Sequence, residues 1–161
     1  MKARVQDSIR AGFSFGLASG VITTLGLMVG LYAGTGSTLA VIGGIITIAI
    51  ADAFSDSMGM HLSEESGGKK SKDIWASMAA TFLTKFSVAI IFLVPVLLFP
   101  LHDAVIANIG LGAILLAVFS YRIALKRKEN PWSAVAEHIA IAAAVIAVTY
   151  LVGEWIAVAF V

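Results

Sequence analysis

The sequence of 161 residues contains no cysteine, few charged residues and almost no excess of either charge. Without cysteine the chain forms no disulfide bond, thiolate metal site or iron–sulfur cluster. Only 13% of the residues are charged, against about 25% in soluble domains. A net charge of +1 gives no field strong enough to attract nucleic acid. These shortages argue against a soluble enzyme and against a nucleic-acid-binding protein.

Apolar residues are present in large excess. They make up 59% of the chain, against about 45–50% in soluble proteins, and the mean hydropathy is +0.95. A chain this short has too small an interior to bury so much apolar surface, so part of that surface must face lipid. The composition therefore predicts an integral membrane protein rather than an enzyme, with the lipid bilayer as its surroundings.

Five stretches reach the length of about 20 mostly apolar residues that a membrane-spanning helix needs. They lie at about 11–33, 38–62, 74–99, 103–125 and 133–159. Short segments with glycine, proline or charged residues separate them, which is typical of turns. The sequence predicts an all-α fold, a bundle of five transmembrane helices in a single domain over residues 1–161.

Basic residues predict the orientation of this bundle. Ten of the eleven Lys and Arg residues fall on one side of the five spans: Lys2, Arg4, Arg10, Lys69, Lys70, Lys72, Arg122, Lys126, Arg127 and Lys128. Because basic loops stay on the cytoplasmic side, we expect the N-terminus inside and the C-terminus outside. The first apolar stretch is longer than the apolar region of a signal peptide, so we expect it to be retained. No organelle-targeting signal is visible, which favours a prokaryotic cytoplasmic membrane.

The first span carries two rows of glycine with a spacing of four residues. The rows are Gly12, Gly16, Gly20 and Gly26, Gly30, Gly34. Small residues at this spacing let helix backbones approach closely in lipid. The rows are offset by about 240° around the helix, so they face different neighbours. We expect the first helix to be central in the bundle or to lie at a dimer axis. In the fourth span, Asn108 could bridge helices.

Three ionisable residues lie deep within the predicted spans. Asp52 and Asp56 share one face of the second span, and Lys85 lies in the third span at the level of Asp52. A charged side chain at this depth costs about 2.5–3.5 kcal/mol, so it usually has a function. A buried Asp–Lys pair that holds two helices together is the structural alternative. Thr23 and Thr24 lie at similar depth in the first span, where hydroxyls usually bond to backbone carbonyls.

Possible further ligands lie near these carboxylates. Met58 and Met60 follow on the second span, and Ser19 lies at similar depth on the first. Carboxylate oxygens suit Mn²⁺ and Fe²⁺, whereas a thioether favours softer ions. The residues together resemble a path for a first-row divalent cation, although the methionines could equally pack against neighbouring helices. Glu154, near the outer end of the fifth span, is a candidate exit-side acid for proton coupling.

The first and second spans each contain a recognisable motif, GLASGVITTLGL at residues 16–27 and ADAFSDSMGMHLS at residues 51–63. They resemble motifs of the vacuolar iron transporter family: the first is similar to the family's opening motif, and the second aligns without gaps on its second-span motif, A-G-A-x-S-M-x-x-G-E-Y-x-S. The segment 148–153 (VTYLVG) fits more weakly. The resemblance implies five spans with the N-terminus inside and a homodimer with a path between protomers. It also implies that Fe²⁺ or Mn²⁺ leaves the cytosol in exchange for protons, with no permanently bound cofactor.

The chain departs from the family pattern at the positions that would bind metal. The family's span-one acid is Ser19 here, its second-span Met is Asp56, and its Glu is Met60. Asp52 stands where the family usually has Gly. Longer members also carry a cytosolic metal-gathering insert between spans two and three, of which Glu64 and Glu65 are the only possible remnant.

These observations lead to three hypotheses on function. The first is a proton-coupled exporter of Fe²⁺ or Mn²⁺ that uses Asp52 and Asp56 as ligands and proton carriers, Met58, Met60 and Ser19 as secondary ligands, and Lys85 as their charge partner. The second is a non-transporting membrane scaffold or regulatory protein that keeps the fold. The third is a proton-coupled carrier of a cargo other than metal.

Overall fold

A computed structural model describes residues 2–160 of the chain, with side chains from residue 4 onward. This part of the chain forms five α-helices and no strand: α1 (Lys2–Thr35), α2 (Thr38–Ser66), α3 (Ser71–Leu98), α4 (Leu101–Arg127) and α5 (Pro131–Phe160). All five are long and apolar enough to cross a membrane, which indicates an integral membrane protein. The helices cover the predicted spans to within one residue, so the all-α, five-helix prediction is confirmed. The side chain of Lys2, used to predict orientation, lies outside the described residues.

Turn residues stop the helices where the sequence analysis placed the breaks. Gly36 and Gly68 adopt positive φ angles of 58° and 70°, a conformation that glycine reaches without steric cost. Ser37 caps α2, because its side-chain oxygen accepts a hydrogen bond from the Ala40 amide. Pro131 occupies the first position of α5, where its missing N–H costs nothing. The connections are so short that consecutive helices run in opposite directions.

The contacts between helices agree with this alternation. Gly12 and Gly16 of α1 face Ser77 and Thr81 of α3 in parallel order, whereas α2 and α4 run antiparallel to α1. The start of α1, the end of α2, the start of α3, the end of α4 and the start of α5 therefore meet at one end of the bundle. The basic residues that the structure describes, apart from Lys85, all lie at that end, called here the basic end.

Helix α1 is central and packs against the other four helices. Its first glycine row faces α3: a Cβ atom on Gly16 would lie 2.7 Å from the Thr81 carbonyl oxygen. Its second row faces α5: a Cβ atom on Gly34 would lie 3.2 Å from the Gly153 carbonyl oxygen. The prediction that the two rows serve different neighbours of a central helix is therefore confirmed.

A buried amide links three helices near the centre of the bundle. Asn108 of α4 is fully buried. Its Nδ2 donates to the Phe92 carbonyl of α3 at 2.8 Å and lies 3.1 Å from the Met28 sulfur of α1. The prediction that Asn108 could bridge helices is confirmed.

Candidate functional site

The two aspartates and the lysine that lie deep in the spans meet at one point. Lys85 of α3 extends toward α2, and its Nζ lies 2.5 Å from Oδ2 of Asp52. The same Nζ donates to Oδ2 of Asp56. The predicted Asp52–Lys85 pair is therefore confirmed, and Lys85 pairs with Asp56 as well. One ammonium group reaches both carboxylates because the aspartates are one helical turn, about 6 Å, apart.

Two hydroxyl groups of α1 complete the arrangement. Ser19 donates a hydrogen bond to Oδ2 of Asp56 at 2.6 Å and accepts one from Lys85 at 2.8 Å. Thr23 lies 3.0 Å from Oδ2 of Asp52 and 2.9 Å from the Ser19 carbonyl, and its hydroxyl can donate to either. The five side chains of Ser19, Thr23, Asp52, Asp56 and Lys85, called here the Asp–Lys cluster, join α1, α2 and α3.

The glycine row of α1 makes room for this cluster. A Cβ atom on Gly20 would lie 3.3 Å from Cγ of Lys85, so the lysine stem passes directly over the Gly20 backbone. Ser19 precedes that glycine and Thr23 follows one turn after Ser19, which brings both hydroxyls to the side where α2 packs. The close approach of α1 and α3 thus brings the lysine within reach of α2.

The cluster is buried unequally. The side chain of Lys85 is 2% exposed, whereas those of Asp52 and Asp56 are 26% and 22% exposed. All the polar contacts of the aspartates use Oδ2, and their Oδ1 atoms form no hydrogen bond with residues 4–160. With all three groups ionised the cluster carries a net charge of −1. Each carboxylate therefore keeps one oxygen without a hydrogen bond among these residues, on a side chain that is about a quarter exposed.

The number of acidic groups in one chain is small for a metal site. Within the described part of the chain, no three His, Asp or Glu side chains come together as a group able to hold a metal ion. An ion bound here would take two carboxylates and the hydroxyls of Ser19 and Thr23. Its remaining ligands would come from water or from a second copy of the chain.

The other predicted site residues lie outside the cluster. Met60 is half-buried one turn after Asp56, on the same side of α2. Met58 is 52% exposed and lies on the outward side of that helix. Glu154 is exposed near the end of α5, toward the end of the bundle opposite the basic end. None of the three forms a hydrogen bond or ion pair with the cluster in the part of the chain that the structure describes.

Glu64 and Glu65, which lie just before the connection between α2 and α3, have different surroundings. Glu64 is buried and lies 2.7 Å from Nζ of Lys69, with the Ser8 hydroxyl 3.4 Å away. Glu65 is exposed and lies 4.0 Å from Nε2 of His61, whose ring packs edge-on against Trp75 at a centroid distance of 5.3 Å. Glu64 thus ties α1 to the end of α2 instead of facing solvent as a metal-gathering acid would.

Sequence reasoning missed the role of Thr23. Hydroxyls in spanning helices usually bond to backbone carbonyls, and Thr23 does lie within hydrogen-bond distance of the Ser19 carbonyl. The spacing of the residues could have indicated this role. Thr23 follows Ser19 by one helical turn, and Asp56 follows Asp52 by one turn, so on antiparallel helices Ser19 faces Asp56 and Thr23 faces Asp52.

Comparison with known protein-family models gave no match, and comparison with curated proteins gave none either. The relation to vacuolar iron transporters therefore stays a prediction based on the two sequence motifs and on the arrangement of spans.

Proposed function

We propose that the chain is a proton-coupled carrier of a divalent cation, Fe²⁺ or Mn²⁺, in which the cation and Lys85 compete for Asp52 and Asp56. One observation carries the proposal: two carboxylates near the middle of a span share a single ammonium group through Oδ2. Their second oxygens have no hydrogen-bond partner among the described residues, and the two side chains are about a quarter exposed. A cation that reaches the cluster finds two oxygens ready to bind it.

Charge balance in a medium of low dielectric constant links this binding to protons. Two carboxylates and one ammonium leave one negative charge without a partner, which is costly inside a membrane. A proton on one carboxylate removes that charge in the absence of metal. A divalent cation neutralises both carboxylates by itself, so Lys85 must then withdraw or lose its proton. Metal binding and proton release are therefore coupled through the same oxygens.

The donor atoms favour a first-row divalent ion. Carboxylate and hydroxyl oxygens from Asp52, Asp56, Ser19 and Thr23 suit Mn²⁺ and Fe²⁺, and the Met60 thioether one turn away adds a softer donor. The motif resemblance to vacuolar iron transporters supports the same cargo. The resemblance also implies that the ion leaves the cytosol, so with the basic end facing the cytosol of a prokaryotic cell the direction proposed for transport is export.

A homodimer is part of the proposal. Within the chain α2 packs mainly against α3 and α1, and a stripe of small residues along its outward side stays exposed: Gly43, Thr47, Ala51, Ser55 and Gly59. Small residues at a spacing of four favour close packing of helices in lipid. A second copy on this face would double the carboxylates, with each protomer supplying two.

Transport in proteoliposomes tests the proposal. Asp56→Asn keeps the shape of the side chain but removes the charge on which both cation binding and the Lys85 pair depend. We expect Mn²⁺-driven proton flux to fall by at least about tenfold, the effect of losing about 1.4 kcal/mol of binding. Asp103→Asn, which neutralises an exposed acid in the first turn of α4, is the matched control and should transport normally. Normal flux in the Asp56 variant would overturn the site assignment.

A non-transporting scaffold is the second candidate, because no group of three acids forms within residues 2–160. In that protein the Asp–Lys cluster would only fasten α1, α2 and α3 together. Calorimetric titration of the purified chain with Fe²⁺, Mn²⁺ and Zn²⁺ separates the two functions: a carrier gives heat that Asp56→Asn abolishes, and a scaffold gives none. Proton-coupled flux of another solute with metal removed by chelator would instead indicate a carrier of non-metal cargo.

A further inference from the structure

A second site lies at the basic end of the bundle, away from the Asp–Lys cluster. There residues of α1 and α4 line a groove of about 640 Å³, called here the α1–α4 groove. Its walls are apolar and come from both helices: Ile9, Phe13 and Leu17 on α1, and Ile114, Val118 and Phe119 on α4. Ile114 lies eight residues before Arg122, so the groove runs about 12 Å along α4 at 1.5 Å per residue.

The mouth of this groove is positively charged. Four basic side chains line it: Arg10, Arg122, Lys126 and Arg127. Arg10 lies 3.6 Å from Asp7 and Arg127 lies 2.8 Å from Glu129, and all four of these side chains are at least half exposed. Arg122 and Lys126 form no ion pair with the acidic side chains that the structure describes. These two cations are one helical turn apart on α4, so the groove has two unneutralised positive charges beside its apolar walls.

Arg122 also lines a smaller groove on the other side of α4. This groove, of about 260 Å³ between α4 and α5, is bounded by Ala117, Tyr121, Trp132 and Val135. The Tyr121 and Trp132 rings pack edge-to-face at a centroid distance of 5.5 Å, and such aromatic residues settle at the level of lipid headgroups. Two apolar channels therefore flank a single arginine at the depth where headgroups meet acyl chains.

We propose that this end of the molecule binds an anionic phospholipid, with its phosphate on Arg122 and Lys126. One acyl chain fills the α1–α4 groove and the other lies in the α4–α5 groove. Arginine forms paired hydrogen bonds with phosphate and lysine adds a point charge. Basic pockets between spanning helices on the cytoplasmic side are known to hold anionic headgroups. The apolar walls select a lipid over free phosphate, and the site does not depend on metal transport.

Native mass spectrometry of the full chain in detergent, with phosphatidylglycerol or phosphatidylcholine added, tests this proposal. We expect the chain to retain phosphatidylglycerol in preference to phosphatidylcholine. The double variant Arg122→Gln with Lys126→Gln should lose about tenfold or more of that retention, since each basic residue near the surface contributes about a factor of five. The double variant Lys70→Gln with Lys72→Gln removes the same charge from exposed positions at the same end and should behave like the unmodified chain.

A second pair of variants tests the groove while keeping every charge. Ser14 lines the α1–α4 groove, so Ser14→Trp should fill it and lower retention of phosphatidylglycerol, whereas Ser87→Trp on the exposed side of α3 should not. Equal retention of both lipids, or equal loss in the two charge variants, would overturn the proposal. So would a Ser14→Trp chain that changes from dimer to monomer without losing lipid, because a second copy would then occupy the groove.

Discussion

At the scale of single residues, Lys85 is the side chain whose position most needs explanation. Its long, charged side chain is almost completely buried, although the helix that carries it is apolar enough to span a membrane. Two carboxylates and the Ser19 hydroxyl accept its hydrogen bonds, so the ammonium group is fully paired. Replacing it removes the partner of two neighbouring negative charges and, with both carboxylates ionised, makes the cluster more negative.

Replacing Lys85 with methionine should therefore have two measurable effects. Leaving buried charges without their partner costs about 3–5 kcal/mol, and we expect the lower end of this range because the aspartates are about a quarter exposed. The same change removes the competitor for the carboxylates. Thermal unfolding in detergent should show a lower Tm for Lys85→Met without metal and a larger increase on adding Mn²⁺ than in the unmodified chain.

Lys72→Met is the control for the loss of one basic residue, because Lys72 is exposed at the start of α3. It should leave both the Tm and its response to Mn²⁺ unchanged. An identical Mn²⁺ response in the Lys85 variant would mean that lysine and metal do not share the carboxylates.

Much of this cluster could be predicted from the sequence. Counting residues from the ends of the apolar stretches placed Asp52 and Lys85 at one level, because a helix rises by a fixed distance per residue. Thr23 could not be placed in the same way. Its orientation depends on how α1 turns its glycine row toward α3, and that rotation comes from packing rather than from the apolar pattern.

At the scale of helices, α1 is distinguished by the glycine rows on two of its faces. Gly16 lies against the backbone of α3, where the absence of a side chain lets the two helices touch. Around Gly110 of α4, no atom of the described residues lies within 4 Å of the place where its Cβ would be. If glycine occurs in α1 because it permits close helix contact, alanine should be harmful at Gly16 and harmless at Gly110, where no described atom is in contact.

Changing each of these glycines to alanine should shift stability in opposite directions. At Gly110 the added methyl group meets nothing, and alanine favours a helix by about 1 kcal/mol over glycine. At Gly16 the methyl group would lie 2.7 Å from the Thr81 carbonyl oxygen, so we expect a net loss of about 1–3 kcal/mol through overpacking. Thermal unfolding of the two variants checks the signs. An equal increase in Tm for both variants would contradict this prediction, because α1 and α3 would then accommodate the added methyl group at no cost.

At the scale of the whole molecule, the proposed dimer depends on the exposed face of α2. Hydropathy does not distinguish a helix face that meets lipid from one that meets another helix, since both are apolar. The sequence predicted five long apolar helices and their alternating direction correctly, because length and turn residues determine those. It could not predict that α2 would have the small-residue stripe of Gly43 to Gly59 on its outward side, which follows from how α3 and α1 cover its opposite face.

The absence of cysteine makes this face easy to test. Ser55→Cys places a single thiol on the stripe, and Ser87→Cys places one on the exposed side of α3. If two copies meet through α2, oxidation in native-like membranes should cross-link the Ser55 variant into a covalent dimer and leave the Ser87 variant monomeric. Gel electrophoresis without reductant measures both. Equal cross-linking of the two variants would indicate random collision and contradict the proposed dimer face.

The central position of α1 has a consequence for biosynthesis. This helix is made before the other four, but the residues that fill its glycine faces come much later in the chain, around Ser77 in α3 and Thr149 in α5. At about 5–20 residues per second, α1 waits about 3–13 s for α3 and about 6–24 s for α5. During that interval its exposed backbone is open to any neighbouring helix. Rapid capture by α2, which follows after only a two-residue turn, would protect the nascent chain from incorrect partners.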